Sequence, residues 1–301
     1  VGDRRMGLIK YVMSLMNAAR LGIGAQSVGL CEAAYREALK YAHERKQFGR
    51  DIIKFPAVSQ MLTQMRAKLH GTRALLYETS RFVEVYKQYA HISRERSLEG
   101  EERQEMKYYN RLADVYTPLV KLLSSEFANE LAYDSVQIHG GSGYMKDFAC
   151  ERLYRDARVL NIYEGTSQLQ VVAAINGVTK GVFMDSIARY EAMEYAESMQ
   201  TVKERLISLR ERVEAMVAHV ESVSKESSQF RDFHARRLVE SVGYIIITHL
   251  LAKQAAYSEE YGSDAKVFLK MAEQYIAGAE AVILSSSAED VALWSEVQEE
   301  F

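Results

Sequence analysis

The fold class is decided by residues 54–89, which read KFPAVSQMLTQMRAKLHGTRALLYETSRFVEVYKQY. Apolar residues recur in this stretch every three or four positions, which is the spacing of one face of a helix. That face comprises Val58, Met61, Leu62, Met65, Leu69, Leu76 and Val83. Pro56 falls in the first turn, where its missing N–H removes no helical hydrogen bond. The stretch therefore predicts a long helix with one buried face.

The neighbouring segments have the same periodicity. They predict long helices over 8–43, from about 106 to about 137, and from about 166 to about 190, with a short helix over 148–158. The polar residues 90–106 predict a solvated hairpin tip, and no segment alternates with the period of a strand. We therefore predict an all-α protein in which residues 1–190 form an antiparallel four-helix bundle.

The pattern changes after about residue 190. A long apolar stripe runs from Met199 to Val223, the polar residues 222–229 predict a turn, and helices are predicted over 233–259 and 264–285. This part contains no group of residues that suggests chemistry. We predict that 191–301 is a second helical domain that serves stability or assembly.

The composition argues against several classes of protein. The chain has 38 Lys and Arg against 41 Asp and Glu, and no block of positive charge that would favour nucleic acid. No apolar run approaches the roughly 20 residues that span a bilayer. The only cysteines, Cys31 and Cys150, form neither a disulfide framework nor a metal signature. We expect a cytoplasmic location, or the mitochondrial matrix in a eukaryote, and no metal site.

Two patches could contact a ligand, and each has a simpler explanation. In YAHERKQFG (41–49), Arg45 could bind a phosphate or only complement a helix dipole. In QIHGGSGY (137–144), paired glycines allow close approach of a backbone, although they also suit an ordinary loop. A lone histidine such as His139 is more often a packed residue than a catalyst.

Two more patches follow. The arginines of ERLYRDAR (151–158) share one side of a helix and are most simply read as partners of nearby acidic residues. In NIYEGTSQLQ (161–170), Glu164 precedes a glycine just before a helix start. A carboxylate in such a turn suits a general base, but it could also only stabilise the helix dipole.

Taken together, the motifs resemble the C-terminal helical domain of the acyl-CoA dehydrogenases. The resemblance covers about residues 8–184 and is strongest in YAHERKQFG, QIHGGSGYMKDFACERLYRDAR and IYEGTSQLQ. It implies oxidation of an acyl-CoA to a trans-2-enoyl-CoA, with FAD as cofactor and electron-transfer flavoprotein as electron acceptor. The base of the YEGT motif is then Glu164. Some members carry the base before an arginine on the first bundle helix, but here Ala19 precedes Arg20, and alanine cannot take a proton.

The resemblance also implies roles for other residues. Substrate contacts are expected from Arg20, Tyr163 and Gly165. Contacts with FAD are expected from Arg45, Gln47 and Phe48 across a dimer interface, from Gln137, Gly140 and Gly141 at the adenine end, and from Thr166 and Gln168 near the flavin. Gln47 stands where many relatives have Thr or Ser.

Two features depart from the ordinary family pattern. The hairpin at about 87–108 is longer, and the chain continues for about 110 residues beyond the usual end. Both resemble a subgroup of larger members that includes the enzyme acting on 3-methylthiopropionyl-CoA, and they imply a homodimer. The N-terminal helical domain and the middle β-domain do not precede Val1, so we expect a C-terminal fragment that alone binds FAD weakly or not at all and has no useful turnover.

Two alternative functions remain at this point. An acyl-CoA oxidase would use the same residues with oxygen as acceptor. A non-catalytic helical interaction module would need no carboxylate at Glu164, so the retained glutamate argues against it. The motifs do not indicate the length or branching of the acyl chain.

Overall fold

The computed structural model describes residues 13–294, and within that range the protein is all-α. The first five residues of the predicted helix 8–43 lie outside the described residues. The elements in order are α1 Met13–Glu44, β1 Lys46–Gln47, β2 Arg50–Asp51, α2 Pro56–Glu95, α3 Gly100–His139, α4 Ala149–Leu160, α5 Ser167–Thr179, α6 Val182–Glu191, α7 Gln200–Val223, α8 Ser228–Gln254, α9 Glu259–Ser285 and α10 Ala288–Leu293. The chain divides into two compact units, one ending at Gln170 and the other starting at Val171.

The first unit is built on three long helices that pack against one another, α1, α2 and α3. The short connection 96–99 makes α2 and α3 an antiparallel pair. Of the predicted face of α2, Leu62, Met65, Leu69 and Leu76 are buried. The other three residues of that face are half-buried, namely Val58, Met61 and Val83. The buried partners contributed by α3 include Tyr116, Leu119 and Leu122. The short helix α4 packs across α1 and α3.

The hairpin between α2 and α3 is tighter than the polar composition of 90–106 predicts. Helix α2 continues to Glu95 and α3 already begins at Gly100. Glu99 and Glu102 form a capping box at the start of α3. Arg96 donates to Glu102 Oε2 at 2.7 Å, so the acidic residues are satisfied locally. The polar residues therefore lie on exposed helix surface and not in a long loop.

The predicted single helix over 166–190 is wrong. The structure divides it into α5 and α6, which are inclined by 66°. The break falls at Gly181, whose φ of 74° lies in the left-handed region that glycine adopts without steric cost. Among the described residues, no single helix is long and apolar enough to cross a membrane. The bent pair α5 and α6 meets the criteria of length and composition only when the two helices are taken together.

The second unit is formed mainly by α7, α8 and α9, which pack pairwise. Helix α8 begins at Ser228, five residues before the predicted start, and residues 238–252 are buried throughout. The polar turn predicted over 222–229 narrows to residues 224–227. A helix buried on all sides needs neighbours on all sides, which is why α8 lies at the centre of this unit.

Two histidines are buried in α8. Within residues 13–294, His234 has no hydrogen-bond partner on either ring nitrogen, and it lies against the rings of Phe230 and Phe233. The Nδ1 atom of His249 lies 2.7 Å from the hydroxyl of Tyr195, and its Nε2 has no partner in the same range. Burial lowers the pKa of His234 to about 4 and that of His249 to about 3. Both side chains are therefore neutral in the folded protein at pH 7.

We expect the second unit to lose stability as the pH falls from 6.5 towards 4. The unfolded chain binds protons on both histidines in this range while the folded chain does not, so acid favours unfolding. Each histidine should account for roughly 1.5 kcal/mol between pH 6.5 and 5. Urea unfolding followed by circular dichroism at several pH values measures this effect. The variant His234→Phe/His249→Phe should have a flatter pH dependence than wild type, whereas the control His43→Gln, which removes an exposed histidine from α1, should keep the wild-type slope.

Candidate active site

Glu164 lies in the turn between α4 and α5. Its φ is 54° and that of Gly165 is 93°, so two successive residues have left-handed backbone. For a non-glycine residue this conformation costs of order 1 kcal/mol or more, and such strain concentrates at functional sites. The Glu164 side chain is exposed. The turn thus presents a carboxylate at the surface of the first unit, on a backbone that the surrounding residues must hold in place.

Two buried side chains anchor that turn by hydrogen bonds to one carbonyl oxygen. The carbonyl oxygen of Gly165 accepts a hydrogen bond from Lys121 Nζ at 2.6 Å and another from Gln170 Nε2 at 2.9 Å. Lys121 lies on α3, Gln170 lies in the first turns of α5, and both side chains are fully buried. The turn is therefore tied to two helices through one oxygen atom.

A second anchor lies at the ends of the turn. The hydroxyl of Ser167 donates to the carboxylate of Glu126 on α3. The amide of Asn161 donates to the same Glu126 oxygen at 3.3 Å. The backbone N–H of Ser167 also donates to the carbonyl of Asn161 at 3.2 Å. These bonds close the loop around Glu164 and Gly165.

Arg20 is the predicted substrate-binding residue on α1, and it is 5% exposed. Its guanidinium donates to Asn17 Oδ1 at 3.1 Å, while its Nε has no hydrogen-bond partner in the part of the chain that the structure describes. Burial lowers the pKa of Arg20, and the charge of nearby Glu164 opposes that change. The structure therefore places a buried cation within electrostatic reach of the candidate base.

Tyr163 connects the turn to α1. Its hydroxyl donates to the side-chain oxygen of Gln26. Burial and the charge of Glu164 raise the pKa of Tyr163. The predicted substrate residues Arg20, Tyr163 and Gly165 thus lie around Glu164, and the predicted cofactor residues Thr166 and Gln168 follow directly, exposed, where α5 starts.

Most of the other predicted cofactor residues lie at a separate place. A cavity of about 450 Å³ is lined by Tyr41, Arg45, Gln47, Phe48, Ile52, Phe55, Val58, Ile138, His139, Gly140, Gly141 and Ser142. The cavity therefore brings together residues of the patch 41–49, which contains Arg45, and of the patch 137–144, which contains Gly140 and Gly141. These two patches lie far apart in the sequence. Gln137 is exposed on the last turn of α3 and does not line this cavity.

One wall of the cavity is a tight hairpin. Strands β1 and β2 pair through Lys46–Asp51 and Gln47–Arg50. Phe48 and Gly49 form its tip with φ of 49° and 77°, the backbone of a two-residue hairpin turn. Phe48 is 91% exposed, so an aromatic face is available to a ligand or a neighbouring subunit. The sequence did not indicate these strands, because two residues are too few for a periodic pattern.

Another part of the cavity wall, at Gly140 and Gly141, has main-chain atoms that a ligand can approach closely. A Cβ atom added to Gly140 or Gly141 would meet nothing within 4 Å. His139 stacks on Tyr41 at 4.3 Å between ring centroids, and its Nδ1 lies 2.7 Å from the carbonyl of Ser135. The side chain of Arg45 is exposed, and none of the described ion pairs includes it. The cavity thus offers a guanidinium, accessible main chain and aromatic faces to an anionic, partly aromatic ligand, and His139 is a packed residue, as predicted.

The site includes residues that the sequence did not indicate as functional. Three side chains form hydrogen bonds with the turn: Lys121, Glu126 and Gln170. Of these, only Gln170 belongs to the motif around Glu164, at its end. Lys121 did carry a signal, because it is the lone charge in the apolar run Leu119–Leu123. A charged residue in the buried part of a helix requires a polar partner.

Comparison with known proteins supports one family over residues 9–291. The family model "Acyl-CoA dehydrogenase, C-terminal domain" matches residues 9–178, and the model "Acyl-CoA dehydrogenase C terminal" matches residues 179–291. A 3-methylmercaptopropionyl-CoA dehydrogenase of Ruegeria pomeroyi is 31% identical over 270 residues, which are 84% of this chain and 43% of that protein.

Two further relatives match the first unit and little beyond it. A 3-(aryl)acrylate reductase of Clostridium sporogenes is 37% identical over 180 residues, 60% of this chain and 41% of that protein. The subunit CarC of the caffeyl-CoA reductase-Etf complex of Acetobacterium woodii is 38% identical over 158 residues, 52% of this chain and 35% of that protein. The chain spans less than half the length of all three relatives.

Solved structures have the same fold. ACDH-11 of Caenorhabditis elegans, crystallised in complex with C11-CoA, has a TM-score of 0.70 at 22% identity and covers 92% of this chain and 46% of its own. An acyl-CoA dehydrogenase of Bacillus anthracis, complexed with FAD, has a TM-score of 0.67 at 20% identity and covers 94% of this chain and 52% of its own.

Proposed function

Because the chain belongs to the acyl-CoA dehydrogenase family, we propose that it supplies the catalytic base and part of the cofactor site of an FAD-dependent acyl-CoA dehydrogenase. The observation that carries the proposal is the position of Glu164. Its carboxylate stands on a left-handed turn anchored by buried donors, with Arg20 nearby. A helical interaction module would have no use for a strained, anchored carboxylate.

Glu164 would take the proton from the α-carbon of the acyl-CoA thioester. That proton is weakly acidic, so the developing negative charge on the thioester oxygen must be stabilised by hydrogen bonds. The N–H of Glu164 itself has no backbone acceptor among the described residues, and it could serve as one such donor. Tyr163 and Gly165 flank the base and would line the thioester.

Because Glu164 is exposed, its use as a base requires that water be excluded from it. A carboxylate that removes so weakly acidic a proton works best where water is excluded. The turn alone does not exclude water, so we infer that bound acyl-CoA and cofactor cover Glu164. Arg20, buried on α1, adds a positive charge near the base.

The residues of the cavity fit FAD. Arg45 offers a charged fork for a diphosphate, Gly140 and Gly141 leave open main chain, and Phe48 and Phe55 offer planar faces for an aromatic ring system. Gln47 lines the same cavity, and Gln137, Thr166 and Gln168 would contribute from the exposed ends of α3 and α5. When bound, FAD supplies the acceptor for the β-hydride.

Reduction of an enoyl-CoA is the second candidate function. Two relatives are named as reductases, and they are 37% and 38% identical to this chain. The same carboxylate would then give a proton to the α-carbon instead of removing it. The dehydrogenase relative matches 84% of the chain, including much of the second unit, whereas the reductases match 60% and 52%. The longer match favours oxidation.

The proposed partners are electron-transfer flavoprotein and a second copy of the chain. The relative named as a subunit of a reductase-Etf complex supports the first partner. The exposed Phe48 beside the cavity supports the second, because a neighbouring subunit could cover it. We propose a homodimer in the cytoplasm, or in the mitochondrial matrix of a eukaryote. For this chain alone we propose weak FAD binding and no useful turnover.

Anaerobic reduction of the whole protein by a panel of acyl-CoA substrates tests the proposed function. We expect the absorbance of bound FAD to bleach with at least one saturated acyl-CoA, and to return on addition of electron-transfer flavoprotein. Rapid return with oxygen and formation of peroxide would indicate an oxidase. Bleaching by no acyl-CoA, together with oxidation of the reduced protein by enoyl-CoA, would indicate a reductase.

A further inference from the structure

Helix α3 carries one ammonium group into the interior of the first unit. Lys121 is 0% exposed, and its neighbours in the chain, Leu119, Val120, Leu122 and Leu123, are buried as well. Burial of an ammonium costs several kcal/mol unless polar atoms replace the lost water. Lys121 therefore needs a polar partner inside the first unit.

The partner of this ammonium is a main-chain carbonyl and not a carboxylate. Lys121 Nζ donates to the carbonyl oxygen of Gly165 at 2.6 Å, and none of the described ion pairs includes Lys121. A charged donor makes a hydrogen bond about twice as strong as a neutral one. The charge is thus applied directly to the peptide that follows Glu164 and Gly165.

The location of the bond explains what it controls. Glu164 and Gly165 are both left-handed, and a turn of this kind relaxes unless other contacts fix it. The Gly165 carbonyl oxygen accepts one hydrogen bond from Lys121 Nζ and a second, at 2.9 Å, from Gln170 Nε2. Because these two bonds set the orientation of the peptide, they also set the direction in which the Glu164 side chain leaves the turn.

Three charged groups act on Lys121. Arg20 on α1 disfavours its protonated form, and Glu126 on α3 and Glu164 on the turn favour it. Burial outweighs these charges and lowers the pKa of Lys121 to about 8. The ammonium is therefore present at neutral pH and is lost in mildly alkaline solution, where the bond to Gly165 weakens.

We propose that Lys121 is the positioning residue of the active-site turn: bonded to the carbonyl of Gly165, it holds the carboxylate of Glu164 at the α-carbon of the substrate. This inference rests on the proposed role of Glu164 as the base. Lys121 itself touches neither substrate nor cofactor. It acts through the backbone of the turn.

The variant Lys121→Met tests the proposal in the whole protein with FAD bound. Methionine keeps the apolar stem and removes the ammonium. The readout is exchange of the α-protons of 3,3-dimethylbutanoyl-CoA with D₂O, because this thioester has no β-hydrogen and reports only on the base. We expect the exchange rate to fall about 10- to 100-fold, the effect of losing a charged hydrogen bond, with KM for oxidisable acyl-CoA changed by less than about threefold.

The matched control is Lys107→Met, which removes an exposed lysine from the same helix and should leave exchange unchanged. The wild-type exchange rate should also fall several-fold above about pH 8, as Lys121 loses its proton, and Lys121→Met should lack that fall. This pH profile separates positioning from a general loss of stability, which would not remove a titration.

Two results would overturn the inference. One is a folded Lys121→Met protein whose exchange rate and pH profile match wild type. The other, decisive even where that variant does not fold, is a wild-type rate that shows no alkaline fall. Glu164→Gln distinguishes the two proposals. If exchange persists in that variant, Glu164 is not the base, whereas loss of exchange there with no effect of Lys121 overturns the role of Lys121 alone.

Discussion

Replacement of Glu164 by glutamine is expected to lower the rate of flavin reduction by acyl-CoA about 10³-fold, because the amide cannot accept the α-proton. Gln has nearly the same shape, and among the described residues the Glu164 side chain makes no hydrogen bond that anchors the turn. The anchors are the Gly165 carbonyl, Ser167 and Asn161. The fold and the binding of FAD should therefore be retained.

The measurement is anaerobic stopped-flow reduction of the FAD-loaded whole protein, with the bound acyl-CoA affinity determined in parallel. The variant Asp156→Asn is a suitable control, because it removes an exposed carboxylate from the adjacent helix α4. It should reduce at the wild-type rate. Unchanged flavin reduction in Glu164→Gln would eliminate this residue as the base, and no carboxylate at position 19 is present to replace it.

Replacement of Gly165 by alanine is expected to cause the second largest loss, roughly 10²-fold in kcat. With φ at 93°, an L side chain is strained at this position. An added Cβ would also lie 2.8 Å from Gln170 Nε2, the atom that bonds the Gly165 carbonyl. Relief of either conflict moves the turn, and a displacement of about 1 Å at a reacting group can lower a rate about 10²-fold.

Steady-state kinetics and thermal unfolding of the same preparation separate geometry from stability. We expect kcat to fall while the melting temperature changes by only a few degrees, since the turn is exposed. Gly29→Ala is the control, because Gly29 lies in α1 with open space around its Cα and a normal helical backbone. That change should leave kcat alone and slightly stabilise the protein. Wild-type kcat in Gly165→Ala would contradict the strain argument.

Local sequence was sufficient for the helical class and for much of the site. The apolar spacing over 54–89 predicted α2, since a helix face is a property of neighbouring residues. The motif around Glu164 and the two patches around Arg45 and Gly140 supplied the candidate residues through a family resemblance. Their grouping around a turn and around a cavity was then visible in the structure.

Local sequence was least informative where two preferences competed. The polar residues 90–106 predicted a solvated hairpin tip, but with a capping box at Glu99 and Glu102 most of these residues belong to α2 and α3. The apolar pattern over 166–190 suggested one helix, whereas Gly181 breaks it by adopting a left-handed backbone. The 3.6-residue period of apolar residues predicts which face of a helix is buried. It does not predict where the helix axis changes direction.

The sequence by itself determined the all-α class and most of the helix faces, because these depend on residue spacing, and the resemblance of its motifs to a known family identified the candidate base. Only the tertiary structure decided what holds that base. Lys121 donates to the carbonyl of Gly165, 44 residues further along the chain, and Arg20 on α1 interacts electrostatically with Glu164. Such contacts depend on how long helices pack, and no local pattern encodes which buried charge meets which carbonyl.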